Sequence, residues 1–131
     1  FSLIALVAAV APAVTHVPAK DVSAAFAKGG TLVAGDTYKV DASRRDRAGE
    51  VEVHETDTDI FYVLDGTATF VTGGTLVDGR TVAPGEVRGK QLQGGDVRTL
   101  VKGDVIVIPK GTPHLFREVP GSITYFVVKA R

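Results

Sequence analysis

Apolar and polar positions along this chain change period twice. Residues 1–14 are apolar almost throughout, and no charge appears before Lys20. Over residues 18–28 the apolar side chains Val22, Ala25 and Phe26 recur at helical spacing. Pro18 suits a first turn and Gly29-Gly30 a stop, so this stretch predicts one short helix. From Thr31 onward the period is two. Strands are expected at 31–34, 37–42, 50–55, 60–64, 68–71, 97–101, 105–108, 114–119 and 123–129. Gly35-Asp36, Gly66, Lys102-Gly103-Asp104, residues 109–113 and Pro120-Gly121 supply the turns between them. Inside the glycine-rich stretch 73–95, Asp78-Gly79 between 75–77 and 80–82 predicts a hairpin. Many short strands broken by frequent turn residues indicate an all-β sandwich or a small barrel.

Composition narrows this picture. A chain of 131 residues suits one domain, and 15 Gly with 6 Pro agree with a turn-rich β fold. Fifteen basic and fifteen acidic residues cancel, so no basic excess points to nucleic acid. There is no Cys, which removes disulfides, thiolate metal sites and cysteine nucleophiles. The opening apolar run is too short for a transmembrane helix. It looks like the apolar region of a secretory signal, with Ala11-Pro12-Ala13 as a small-x-small cleavage site, which would make the protein secreted or periplasmic. The alternative is an apolar arm, residues 1–17, that packs on the barrel or on a second subunit. His16, alone beside Thr15 and Val17, reads as a surface or linker residue.

The chemistry concentrates in residues 51–66. Glu52 and His54 are two apart on one strand and leave the same face. Asp59 opens the next strand, with Phe61 and Val63 on its side. His114 follows a frame of Gly103, Pro109, Gly111 and Pro113, and alternation places Phe116 and Glu118 on its face. Tyr125 and Val127 would line the same interior from the last strand. Glu55 and Asp57 read as solvent-facing. Arg44, Arg45, Asp46 and Arg47 fall in a polar stretch, 43–49, which either holds an anionic substrate at the barrel mouth or is a solvated loop.

These spacings resemble the cupin family, whose motifs run G-x5-H-x-H-x3-4-E-x6-G and G-x5-P-x-G-x2-H-x3-N. Gly103, Pro109, Gly111 and His114 match the second motif, with Glu118 in place of its Asn. Counting back from Gly66, Asp59 takes the Glu position of the first motif, His54 the second His and Glu52 the first. Gly49 is displaced from the leading glycine. The resemblance covers about residues 38–129 and implies a cupin-type double-stranded β-helix, or jelly-roll barrel, over 31–131. A short helix at 18–30 precedes it, and an extra hairpin lies between the motifs.

It also implies one divalent ion at the barrel axis, Mn²⁺, Fe²⁺, Ni²⁺ or Zn²⁺, held by Glu52, His54, Asp59 and His114. Glu52 could instead orient a ligating histidine, and Asp59 could cap its turn. Phe61, Val63, Phe116 and Tyr125 would form the pocket. Glu118 would move a proton there, or else end its strand in water. The expected function is a metal-dependent isomerase, lyase or oxygenase acting on a small molecule. The alternatives are a barrel that binds or senses a sugar or organic acid, and a structural barrel without its metal. A homodimer is expected, as in many cupins.

Overall fold

The computed structural model describes residues 13–131. The apolar run 1–14 therefore falls outside the described residues except for Ala13 and Val14, both exposed. Helix α1, Ala19–Lys28, follows Pro18, whose carbonyl accepts from Asp21 and Val22 N–H at 2.9 and 3.1 Å. Asp21 in the first turn and Lys28 in the last complement the helix dipole. The helix has no fully buried side chain. It docks through Phe26, whose ring meets Phe126 edge-on at 5.0 Å.

Twelve strands follow: β1 Gly30–Ala34, β2 Tyr38–Arg45, β3 Val51–His54, β4 Thr58–Thr72, β5 Thr75–Val77, β6 Arg80–Ala83, β7 Glu86–Gly89, β8 Gln91–Gln93, β9 Asp96–Val101, β10 Val105–Ile108, β11 His114–Glu118 and β12 Ile123–Ala130. All pairings are antiparallel. The 15-residue β4 is shared by two sheets. Its first half lies between β12 and β10, and β2 and β1 extend that sheet beyond β12. Its second half lies between β11 and β9, and the other sheet continues from β11 through β3, β7 and β6. The two inner faces enclose one core of Phe61, Val63, Phe70, Leu100, Ile108, Phe116, Ile123, Tyr125, Val127 and Ala68.

Gly66 was expected as a turn, and the structure corrects this. The strand runs through it at φ 81°, beside a register shift between Thr124 and Tyr125 on β12. The buried side accordingly changes from Asp59, Phe61 and Val63 to Ala68 and Phe70. A Cβ at Gly66 would overlap the Ser122 carbonyl, so glycine is required by both conformation and space. The expected hairpin about Asp78-Gly79 is also corrected. Asp78 does turn, at φ 52°, but β5 pairs with β8 and β6 with β7. The Leu76–Leu92 and Thr81–Val87 cross-strand pairs outweigh the local turn preference. The stretch 43–49 is not wholly a loop either, because β2 extends to Arg45.

Candidate metal centre

Strand register sets basic side chains beside carboxylates. His114 on β11 is paired with Glu52 on β3, His54 on β3 with Glu86 on β7, and Lys129 on β12 with Asp59 on β4. The turn from β3 into β4 then carries His54 across to Asp59, joining the two sheets at one end of the barrel. Gly111, at φ 82° in the turn before His114, donates its N–H to the His54 carbonyl at 2.7 Å. The two histidine-bearing segments are thereby tied through their backbones, and the rings stand 5.1 Å apart, centroid to centroid.

Each imidazole is held by its outer nitrogen. His54 Nδ1 donates to Glu86 Oε2 at 2.6 Å, and His114 Nδ1 donates to the Thr112 carbonyl at 3.0 Å. Both partners can only accept, so each Nε2 is left to offer a lone pair. His114 Nε2 is buried and has no hydrogen-bond partner among the described residues. Glu52 Oε2 lies 3.7 Å from His54 Nε2 and 3.5 Å from His114 Nε2. Ligand atoms of Glu52, His54 and His114 all fall within 4.8 Å of one another, a group able to hold a metal ion. Asp59 Oδ2 adds a further oxygen, 3.2 Å from His54 Nε2 and 3.8 Å from His114 Nε2.

With both histidines neutral, electron pairs of two nitrogens and two carboxylates face a common space, and a proton on an imidazole, an ammonium or a metal ion there relieves their repulsion. Lys129 supplies an ammonium, its Nζ donating to Asp59 Oδ1 at 2.8 Å and to His54 Nε2 at 3.4 Å. Burial pushes the Asp59 carboxyl up, but His54 and Lys129 outweigh it and hold it below the usual range. Burial pushes His54 down, yet Asp59 and Glu86 win and raise it overall. For Glu52 burial is again opposed, by His114, Arg88 and Arg45, and the carboxyl is lowered to about 2.

No family model and no curated protein sequence matches this chain. Solved structures do. The cupin domain of a Schizosaccharomyces pombe protein superposes with TM-score 0.56 at 11% identity, over 78% of this chain and 59% of that one. A cupin-2 domain protein from Rhodospirillum rubrum gives TM-score 0.55 at 14% identity, over 78% and 57%. The DMSP lyase DddQ from Ruegeria pomeroyi gives TM-score 0.57 at 17% identity, over 79% and 46%. This chain therefore spans less than two thirds of each of these three proteins.

By fold the chain is a cupin barrel.

The cupin barrel brings Glu52, His54, Asp59 and His114 together. Phe61, Phe116, Tyr125 and Val127 line the cavity of about 300 Å³ beside them. Val63 points inward but is sealed in the core and is no part of the cavity wall. Glu118 departs from its expected inward position. A register shift between Phe116 and Glu118 breaks the alternation, and Glu118 is exposed. Asp57, expected in solvent, is buried and accepts from Arg131 Nε at 3.1 Å. His16 is exposed.

Of the charged residues that line this cavity, Lys39, Asp41, Glu86, Arg88 and Lys129 were not anticipated, while Arg45 belongs to the stretch 43–49 read as either a hold for an anionic substrate or a solvated loop. Alternation from Tyr125 and Val127 leads directly to Lys129. The same rule applied along β2 from Asp41 and Ser43 reaches Arg45.

Proposed function

We propose that this cupin barrel is a metal-dependent enzyme that moves a proton on a small molecule, an isomerase or lyase, with one divalent ion held by Glu52, His54 and His114. The observation that carries the proposal is the pair of imidazoles fixed through Nδ1, with both Nε2 atoms turned toward the Glu52 carboxylate. A nitrogen–oxygen set of this kind suits Mn²⁺, Fe²⁺, Ni²⁺ or Zn²⁺. A bound ion of this type supplies Lewis acidity toward a substrate oxygen.

The protein's own groups do the rest. Glu86 and the Thr112 carbonyl fix the tautomers of the two histidines. Phe61, Phe116 and Tyr125 form an apolar floor that limits water around the substrate. With Glu118 outside the cavity, proton handling falls to the buried Asp59–Lys129 pair. Asp59 Oδ2 is the acceptor, and Lys129 Nζ holds the replacement proton.

Elemental analysis of the purified protein tests the reading. The expected result is stoichiometric metal that His114→Ala loses, and stoichiometric metal retained in that variant overturns it. One observation favours a second reading, a barrel in which an ammonium has replaced the ion. Lys129 Nζ stands 3.4 Å from His54 Nε2. A wild-type protein that takes up none of the four metals on reconstitution would decide for that alternative.

A further inference from the structure

Arg45 has no use in the scheme above. It ends β2 at the cavity wall, half-buried, with its guanidinium carbon 5.0 Å from the Phe116 ring centroid. Its Nη1 lies over the bare backbone of Gly49, where a Cβ would stand 2.7 Å away. These two contacts restrict where the group can lie. Its Nε is buried and has no hydrogen-bond partner among the described residues.

The other cations of the wall are already paired. Lys39 lies 3.2 Å from Asp41, Lys129 2.8 Å from Asp59, and Arg88 3.1 Å from Glu86. Among the carboxylates of the described residues Arg45 reaches only Glu52, at 3.6 Å, beyond a good hydrogen bond, and its other polar neighbour is the uncharged Tyr125 hydroxyl. Glu52 is also the carboxylate assigned to the ion. Four cations and four carboxylates balance in this wall, so a bound dication leaves the cavity positive, with Arg45 as the unmatched group.

We propose that Arg45 is the substrate-anchoring residue of the cavity and that the substrate is a small organic acid whose carboxylate lies against the guanidinium edge. A planar fork clamped on an aromatic ring matches a planar carboxylate through two parallel N–H donors. Tyr125 borders the same space, and burial pushes its hydroxyl up, so it stays a donor at neutral pH. The excess charge rests on the metal-site reading, and the experiment separates the two.

The full chain is titrated calorimetrically with propionate, propionamide and inorganic phosphate, before and after loading with Mn²⁺, with Mn²⁺ content measured on the same samples. Loading should strengthen propionate binding, with propionamide and phosphate each about tenfold weaker or more. Arg45→Gln should lose this preference while keeping its Mn²⁺, and Arg45→Lys, charged but without the fork, should fall between. Arg44→Gln, exposed next door, should match wild type. If Mn²⁺ is not taken up, the same titrations are run after loading with Fe²⁺, Ni²⁺ or Zn²⁺, and failure to take up any of the four sinks the metal reading. Mn²⁺ uptake with no propionate binding, with equal propionate and propionamide, with phosphate preferred, or with propionate binding unchanged in Arg45→Gln overturns the role of Arg45 and leaves the metal site standing.

Discussion

The two walls of the cavity solve opposite electrostatic problems. The wall of β11, β3 and β7 presents lone pairs: two Nε2 atoms and the Glu52 carboxylate, each histidine oriented through its Nδ1 by an acceptor, Glu86 or the Thr112 carbonyl. The wall of β2, β12 and the first half of β4 brings its own cations, with Lys129 on Asp59 and Arg45 over Phe116. On the proposed reading, one wall is completed by a cation. The other is already paired except at Arg45. In the proposed function that asymmetry would separate an ion side from a substrate side within about 300 Å³. It also fixes what should happen when each side is damaged in the absence of metal.

The largest effect should come from the self-paired wall. Lys129→Met keeps the aliphatic stem but removes the charge facing Asp59, whose side chain is 3% exposed. Removing one partner of a buried pair leaves the other uncompensated. A loss of about 3 to 4 kcal/mol is expected, at the low end of such effects because His54 Nε2 remains 3.2 Å from Asp59. Urea denaturation of the metal-free protein measures it, and adding Asp59→Asn should restore most of the loss. A Lys129→Met variant as stable as wild type would show that this wall is not held by its pair.

The ion-binding wall should show its dependence in acid. Glu52 is lowered from 4.5 to about 2, so the native state favours its ionised form. The associated stability is fully present above pH 4.5 and is lost as pH falls toward 2. For this mostly buried carboxylate that amounts to about 2 to 3 kcal/mol in the metal-free protein. Glu52→Gln should flatten the stability profile between pH 4.5 and 2. An unchanged profile would mean that the His114, Arg88 and Arg45 contacts do not hold Glu52 ionised.

How these walls stood in the sequence follows from local regularity. His114 was legible because Pro109, Gly111 and Pro113 constrain the turn before it, and Gly111 does adopt the left-handed conformation that favours glycine. His54 and Asp59 were legible from period-two alternation on either side of a polar turn. Alternation failed where the backbone slips: the register shift beside Gly66 made one strand read as two, and the one before Glu118 turned that side chain outward. Arg45 and Lys129 follow the alternation, but Arg45 sits at a strand end among charges that read as loop or substrate hold, and Lys129 closes an expected strand whose alternation was followed only as far as Val127. Glu86 and Arg88 lie in a glycine-rich stretch with no period to read, and only tertiary pairing of β7 with β3 brings them to the site.

Glu86 offers the finest test of the ion-binding wall, since its part is to orient and polarise His54 without facing the ion. Glu86→Gln retains a hydrogen-bond acceptor for His54 Nδ1 but removes the charge. Loss of such an outer partner should weaken metal binding about 10- to 100-fold at neutral pH and above. The deficit should itself depend on pH. Burial lowers the His54 pKa, but Asp59 and Glu86 outweigh it, so wild-type His54 titrates above its usual 6.5, and protons compete with the ion from that pH downward. Without the Glu86 charge the imidazole releases its proton at lower pH. The variant's affinity should therefore fall later than wild type's as the solution is acidified, and the gap between them should narrow. Competition titration against a chromophoric chelator across pH 5.5 to 8 reads both quantities. A gap that is constant over that range would mean that Glu86 positions the ring without tuning its basicity, and no gap at all would remove it from the site.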